Sequence, residues 1–201
     1  MSPIHQTVAP RRGRPRRDRQ PLTRQRIVAE AMAVVEGAGL AGLTMRGLAK
    51  RLGVDTMSLY NHVDSRDALL DAITGAVFAD LRLPPATGGL RADVRAAAHA
   101  FRDTALRHPR CAHLALTRRP DSPTGPGPVA AALGILRRAG FPPATAVRVL
   151  RTGLAYLVGA LLRELSAIPA SDDAARRAEF DFGLDLLITA ITDADRDTGR
   201  G

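Results

Sequence analysis

The sequence predicts an all-α fold of about nine helices, and three observations support this prediction. Aromatic residues are only 3% of the chain and Trp is absent, so the apolar mass comes from Ala, Leu and Val rather than from the aromatic residues that sheets favour. Apolar residues recur three and four positions apart along most of the 201 residues, as they do on one face of a helix. No segment alternates between apolar and polar residues like a half-buried strand.

The N-terminal third is predicted to contain four helices after a Pro- and Arg-rich arm at residues 1–21, which we expect to be disordered when free. Thr44, Asp55 and Ser65 have side chains that cap helix N-termini, and Gly53 is suited to a helix end. The predicted helices run from Thr23 to about Glu36, from Met45 to about Leu52, from Thr56 to His62 and from Arg66 through Leu81.

A linker rich in Pro and Gly at residues 84–89 precedes the remaining helices. The predicted domain organisation is the arm at 1–21, a first helical domain at 22–66 and a second helical domain at 67–201. The predicted helices after the linker run from Leu90 to Arg107, briefly after Pro109, from about Val129 to Ala139, from about Ala144 to Ser166 and from about Ala174 to Asp193.

Residues 43–62, LTMRGLAKRLGVDTMSLYNH, combine two short capped helices with a tight turn at Gly53. Leu48, Leu52 and Leu59 fall where two crossing helices need a shared core. This spacing is typical of a helix-turn-helix, whose second helix must protrude far enough to enter the DNA major groove, about 12 Å wide. An ordinary helical hairpin with a polar surface is the alternative.

The positive charge of the chain lies mostly in its first third. Residues 1–66 contain 12 Arg or Lys and 5 Asp or Glu, whereas residues 67–201 contain 17 and 15. A basic block beside a near-neutral block favours a polyanion-binding module joined to a second module of different function. A solubilising tail is the alternative explanation.

Residues 23–83 resemble the DNA-binding domain of the tetracycline-repressor (TetR) family. The resemblance is carried by IVAEAMAVVEGAGLAGLT at 27–44 and MRGLAKRLGVDTMSLYNHVDSRDALLDAI at 45–73. It implies that the third helix reads DNA, that the start of the second helix touches a phosphate and a base edge, and that the fourth helix begins near the DNA backbone. Alternatives are packing against the first helix for Tyr60 and packing at the helix end for His62. The implied DNA-binding residues are Thr44, Arg46, Thr56, Met57, Ser58, Tyr60, Asn61, His62 and Arg66.

The arm contains RRGRPRR at residues 11–17, which resembles an AT-hook. In such a segment, Arg14 and Arg16 on either side of a proline can lie in the narrow minor groove of A·T-rich DNA, where the negative potential is deepest. A non-specific electrostatic tail is the alternative. Both interpretations predict DNA affinity that falls steeply with salt, because each neutralised phosphate releases counterions.

The C-terminal segments 100–120, 132–165 and 179–191 resemble, in the same order, the C-terminal domain class of the tetracycline repressors. The resemblance implies a helical ligand-binding and dimerisation domain, whose two last long helices pair with their copies into a four-helix interface. Intrachain core is the alternative for each residue. The implied interface residues are Val149, Leu150, Leu154, Leu157, Leu161, Phe182, Leu184, Leu187, Ile188 and Ile191.

The resemblance also implies a ligand cavity, but not the ligand of the class. Where the class has polar side chains for a drug–magnesium complex, this chain has Arg82, Ala97 and Arg163. We therefore expect no tetracycline, no Mg²⁺, no metal site and no cofactor, and a mostly aliphatic cavity. The residues predicted to line it are Phe78, Arg82, Phe101, His113, Leu116, Val147, Leu154 and Tyr156.

The predicted function is a ligand-responsive transcriptional regulator, most simply a repressor, that binds a palindromic operator as a homodimer and is released by a small-molecule effector. An architectural DNA-binding protein dominated by its arm is the alternative. An enzyme is not expected, because no nucleophile–base pair, phosphate loop or metal cluster is evident. The lone Cys111 excludes an intrachain disulfide, and with no signal peptide or membrane span evident, we expect a cytoplasmic protein that does not bind membranes.

Overall fold

A computed structural model describes residues 21–79, 81–118, 127–166 and 172–198. These residues form nine α-helices and no strand, which confirms the predicted all-α class. The helices are α1 (Arg24–Gly42), α2 (Met45–Leu52), α3 (Thr56–Tyr60), α4 (Arg66–Ala79), α5 (Leu90–Arg107), α6 (Pro109–Thr117), α7 (Gly127–Arg138), α8 (Pro143–Ser166) and α9 (Asp173–Thr198).

The predicted caps hold the three helices of the first domain in place. The Thr44 hydroxyl accepts a hydrogen bond from the N–H of Gly47 at 3.0 Å, and the Asp55 carboxylate accepts one from the N–H of Met57 at 2.8 Å. Gly53 ends α2 with a φ of 68°, a left-handed conformation that side chains disfavour. Local interactions therefore fix where α2 begins and ends and where α3 begins.

Several predicted helix ends differ from the structure. The backbone of α1 leaves helical geometry at Gly39, with a φ of 73°, close to the predicted stop, and a short helical segment follows to Gly42. Helix α9 continues to Thr198 instead of ending at about Asp193. Helix α3 ends at Tyr60, and residues 61–62 form a turn. Helix α4 ends at Ala79, so Leu81 follows the helix rather than closing it.

One hydrophobic cluster joins the first four helices to α6. Leu59, Leu69 and Ile73 are completely buried in it, and Cys111 and Leu161 from the second domain belong to the same cluster. Burial raises the pKa of the Cys111 thiol to about 12, so this thiol is a core group and not a nucleophile. Helix α4 contributes to a core that both predicted domains share. The domain boundary between residues 66 and 67 therefore stays a prediction.

Helix α6 is tied at its start to α1 of the first domain and at its end to α4. At its start, the Glu36 carboxylate of α1 accepts hydrogen bonds from the N–H groups of Cys111 at 2.8 Å and Arg110 at 3.3 Å. At its end, the Arg118 guanidinium donates to Asp71 of α4 at 2.8 Å and to Asp67 at 3.3 Å. The Glu36 contacts satisfy free N–H groups at the start of α6. Together with the Arg118 contacts, they hold α6 against α1 and α4.

A buried carboxylate organises the loop that enters α5. Asp93 accepts hydrogen bonds from the N–H and hydroxyl of Thr87, at 2.7 and 2.8 Å, and from the N–H of Gly88 at 3.3 Å. The Thr87 backbone hydrogen bond is the main reason that the pKa of Asp93 lies below its ordinary value. The ionised carboxylate thus fixes the last residues of the linker against the first turn of α5.

Helices α5, α8 and α9 form the second core. Phe180, Leu184 and Ile188 of α9 are buried against α5 and α8. Gly183 permits the close approach of α8, because a Cβ there would lie 2.4 Å from the Tyr156 hydroxyl.

Among the described helices, α8 alone is long and apolar enough to cross a membrane, which is weak evidence for a span; only 11% of its most apolar window is buried.

Candidate DNA-binding surface and ligand cavity

Helix α3 lies on the surface with one apolar side chain anchored inward. Leu59 is fully buried beneath it, whereas Met57 is 69% exposed and Tyr60 is 39% exposed. Asn61, in the following turn, is also exposed. Leu59 is the only large apolar side chain of α3 that points inward. The opposite side of α3 is therefore free to contact the groove of a DNA duplex.

The start of α2 extends the same surface. Thr44 and Arg46 are exposed, and Thr56, Ser58 and His62 are partly exposed. A different role is visible for Arg66, whose guanidinium lies 3.5 Å from the carbonyl oxygens of Leu43 and Leu40 and so connects α4 to the end of α1. Arg14 and Arg16 lie outside the described residues.

Arg51 lies on the same helix as Arg46, but its side chain forms an ion pair. Its guanidinium pairs with the Glu30 carboxylate of α1 at 2.5 Å, and the pair is exposed to solvent. Arg51 is therefore engaged on the α1 side of α2, whereas no ion pair is found for Arg46 in the described part of the chain. The two arginines, five residues apart, differ in surroundings but carry the same charge.

A cavity of about 540 Å³ lies between α4, α5, α7, α8 and α9. All of the lining residues that the structure describes have apolar side chains or are glycine. They are Gly75, Phe78, Ala79, Leu81, Leu83, Val94, Ala97, Ala98, Phe101, Pro128, Val129, Ala132, Ile135, Leu136, Val149, Leu150, Gly153, Leu154, Leu157, Leu184, Leu187 and Ile191. The volume is typical of a site for a drug-sized molecule.

Three of the eight residues predicted to line the cavity do so. Phe78, Phe101 and Leu154 are in its wall. The rings of Phe78 and Phe101 are stacked, with centroids 4.9 Å apart and planes 5° from parallel. These two rings join the end of α4 to the middle of α5 and present an aromatic face to the cavity.

The other five predicted lining residues are not in the cavity wall. Because α4 ends at Ala79, Arg82 lies beyond the helix, exposed, and donates to the Ala79 carbonyl at 2.8 Å. His113 is exposed on α6. The remaining three have other places: Leu116 packs on the cluster shared with the first domain, Val147 is partly buried outside the wall, and the Tyr156 hydroxyl donates to the Phe180 carbonyl at 3.0 Å.

Four of the predicted dimer-interface residues belong to the core of their own chain. Leu161 and Leu184 are 0% exposed, and Ile188 and Ile191 are 1% and 8% exposed, so these four side chains offer little surface to a second copy. Leu150, Leu154, Leu157 and Leu187 line the cavity, as does Val149, and all five are partly exposed. Their place in a dimer interface stays a prediction.

Phe182 alone among the predicted interface residues is substantially exposed, at 68%, and the sequence prediction missed its neighbour Leu186, at 61%. The two lie four residues apart on α9, on the side away from Leu184 and Ile188. Ala155 and Gly159, also four apart, are exposed on α8. Their spacing was visible in the sequence, but apolar residues on the opposite side of each helix gave a stronger pattern.

A buried ion pair holds the helices of the cavity wall together. Arg102 of α5 donates to both oxygens of Glu164 on α8, at 3.0 and 2.5 Å. The side chains of the pair are only 2% and 7% exposed, and the guanidinium lies 5.6 Å from the ring centre of Phe180 on α9. The pair therefore joins α5, α8 and α9.

In the described residues, no group of three His, Cys, Asp or Glu side chains could hold a metal ion.

Comparison with protein families places both parts of the chain. Residues 27–73 match the model described as bacterial regulatory proteins, tetR family, and residues 84–182 match the tetracyclin repressor-like C-terminal domain. The tetracycline repressor protein class A from transposon 1721 of Escherichia coli is 30% identical over 191 residues, covering 82% of this chain and 88% of that protein. An HTH-type transcriptional regulator of Saccharopolyspora erythraea is 36% identical, covering 71% of this chain and 61% of that protein.

Solved structures agree with this placement. Apo ActR from Streptomyces coelicolor has a TM-score of 0.76 at 26% identity, covering 89% of this chain and 98% of ActR. A TetR protein from Acinetobacter baumannii in complex with minocycline has a TM-score of 0.75 at 31% identity, covering 87% and 99%. The chain belongs to the TetR family of ligand-responsive, DNA-binding transcriptional repressors.

Proposed function

We propose that this chain represses transcription by binding a palindromic operator through α2 and α3, and that a small molecule in the cavity releases it. One observation carries the proposal: the same helix, α4, borders both sites. Its first residues follow α3, and Arg66 contacts the end of α1, whereas Phe78 and Ala79 at its far end line the cavity. A ligand that changes the position of Phe78 therefore acts on the orientation of α3.

The role of α4 follows from linkage. A ligand shifts DNA affinity only if it binds two arrangements of the protein with different affinity. The stacked Phe78 and Phe101 rings occupy one wall of the cavity, so a bound ligand must pack on them or part them. Because Arg118 ties α6 to α4, a displacement of either helix also changes the contact between α6 and the first domain.

We assign a role to each side chain of the DNA-binding surface. Arg46 donates to a guanine edge or a phosphate, Asn61 hydrogen-bonds a base edge, and Met57 packs on a thymine methyl group. Thr44, Ser58 and Tyr60 carry hydroxyl groups suited to phosphates. Thr56 and His62 lie at the margins of the surface, and Arg66 acts mainly by positioning α4.

The second copy of the chain packs on the exposed apolar residues of α8 and α9. Phe182 and Leu186 on α9 and Ala155 and Gly159 on α8 provide a surface that combines large and small side chains. A homodimer arranged about these two helices buries apolar surface that a monomer leaves in water. In a dimer on a palindrome, the two recognition helices enter successive major grooves about 34–36 Å apart. Such a protein acts where the DNA is, in the cytoplasm of a bacterium, and needs no catalytic site.

The test of the proposal is binding to the DNA upstream of its own gene, measured by fluorescence anisotropy at physiological salt against a scrambled duplex of the same composition. Specific binding at least about 1000-fold tighter than to the scrambled duplex is expected. A small molecule that occupies the cavity should then weaken operator binding by about 5- to 150-fold. Equal affinity for both duplexes would refute the proposal.

The N-terminal arm adds affinity in this account, but it does not supply the sequence preference. Deleting residues 1–20 should weaken binding to all DNA and make the logarithm of affinity less dependent on the logarithm of salt, because fewer counterions are released. The ratio of operator to scrambled affinity should stay within a few-fold at each salt concentration. If this preference disappears with the arm, the chain is an architectural DNA-binding protein and not an operator-specific regulator.

A further inference from the structure

The cavity differs from most ligand sites in one respect: none of the described residues that line it has a polar side chain. Small-molecule sites are usually apolar with a few polar groups that fix the ligand's orientation. From this lining we infer that the effector is an uncharged, aromatic and largely apolar molecule that binds without a metal ion. This inference rests on the proposed function, in which the cavity is the effector site.

Several polar side chains next to the cavity wall are engaged with other groups of the protein. The Arg82 guanidinium donates to the carbonyl oxygens of Ala79 and Leu81, at 2.8 and 3.3 Å, and the Tyr156 hydroxyl donates to Phe180. Arg102 and Glu164 pair with each other. A charged ligand would have to break one of these contacts to use any of these four side chains as a partner.

The backbone offers little compensation. Of the described lining residues, Leu81 and Leu83 lie outside helices, and Val129 lies in the first turn of α7, where its N–H has no partner within the helix. The backbone groups of the other lining residues are largely occupied within their helices. The N–H of Leu81 donates to the Phe78 carbonyl at 3.1 Å. A buried charge without a partner is strongly disfavoured, so a charged group should reduce affinity by at least about 100-fold.

The shape of the wall favours a planar ring. Phe78 and Phe101 present parallel faces, and a ligand ring can extend this stack. On α4, Gly75 also lines the cavity, and a Cβ added there would meet no atom within 4 Å. This open space next to the aromatic pair can accept the edge of a flat molecule.

A pair of dyes tests the inference. N-phenylnaphthylamine is neutral, and anilinonaphthalenesulfonate has the same ring system with one sulfonate added; both fluoresce more strongly in apolar sites. With the full chain we expect saturable binding of the neutral dye and at least about 100-fold weaker binding of the sulfonate. Equal affinities would overturn the inference, and loss of sulfonate binding in Arg82→Ala would show that Arg82 serves an anionic ligand.

Two variants on α7 show whether the dye is in the cavity. Ala132 lines the cavity and its neighbour Ala131 is exposed, so Ala132→Phe fills the site whereas Ala131→Phe does not. We expect Ala132→Phe to weaken the neutral dye by at least about 10-fold and Ala131→Phe to leave it unchanged. If Ala132→Phe does not fold, Ala97→Leu on α5 fills the same space. Unchanged binding in a folded cavity-filling variant would contradict the inference.

The two proposals fail in different ways. If the chain recognises its operator but binds the sulfonate as tightly as the neutral dye, the effector class is wrong and the repressor function stands. If the neutral dye occupies the cavity but the chain prefers no DNA, the repressor function is wrong, and the assignment of the cavity to an effector is refuted with it.

Discussion

Replacing Arg102 by Met is expected to lower the free energy of unfolding by about 3–5 kcal/mol. The substitution keeps the length of the side chain but leaves the Glu164 carboxylate, which is 7% exposed, without its bidentate partner. The buried carboxylate then keeps only the longer contact with Arg176, at 3.8 Å, and must stay largely dehydrated with little compensation or take up a proton. The loss also frees α5 from α8 next to the cavity, so ligand binding should weaken together with stability.

Urea denaturation of three variants separates the burial of the pair from its charge. Arg163→Met removes an arginine whose pair with Glu179 is exposed, and it should cost no more than about 1 kcal/mol. The double variant Arg102→Met with Glu164→Leu leaves no unpaired charge and should recover most of the loss. A cost for Arg102→Met as small as that for Arg163→Met would show that the pair does not hold the domain together.

Replacing both Phe182 and Leu186 by Glu is expected to convert the dimer to a monomer and to weaken operator binding by about 100-fold or more. Both side chains are more than 60% exposed in the single chain, so the substitutions should disturb the fold little. In the proposed dimer they place four carboxylates in an apolar contact, where each loses its water without gaining a partner. Monomers then bind the two half-sites independently and lose the affinity that two linked subunits gain by binding both half-sites at once.

Sedimentation velocity and operator anisotropy measure these two effects on the same samples. Ala130→Glu with Ala131→Glu is the matched control, since it adds the same charge to exposed positions of α7. The control should remain a dimer and keep operator affinity within a few-fold. A double Glu variant of Phe182 and Leu186 that stays dimeric would place the interface elsewhere on the chain.

The helix-turn-helix could be predicted from the sequence because its determinants are local. Thr44 and Asp55 lie two or three residues from the N–H groups that they cap, and Gly53 takes its left-handed conformation in the turn itself. Each signal is readable from a few neighbouring residues. The break at Gly39 was readable in the same way, whereas the short helical segment from there to Gly42 has no apolar periodicity of its own and was missed.

The cavity and the interface were harder to predict because they depend on the rotation of long helices. Helix α8 has apolar residues on several sides, so periodicity does not say whether Leu157 faces the cavity or a second chain. Burial within the chain settles this for Leu161 and Leu184. Arg82 was placed by its position in a resembling class, but here α4 stops at Ala79, and the guanidinium binds the end of the helix instead.

The central claim is that the surface of α2 and α3 reads DNA sequence, and one comparison tests it most directly. Operator and scrambled duplexes are titrated with Arg46→Ala combined with Asn61→Ala, and with Arg51→Ala as the control that removes the same charge from α2. The double variant should lose at least about 10-fold in the ratio of operator to scrambled affinity, because each base contact is worth about 1–3 kcal/mol. Arg51→Ala should weaken both duplexes equally. A double variant that keeps the unmodified protein's preference for the operator would contradict the account.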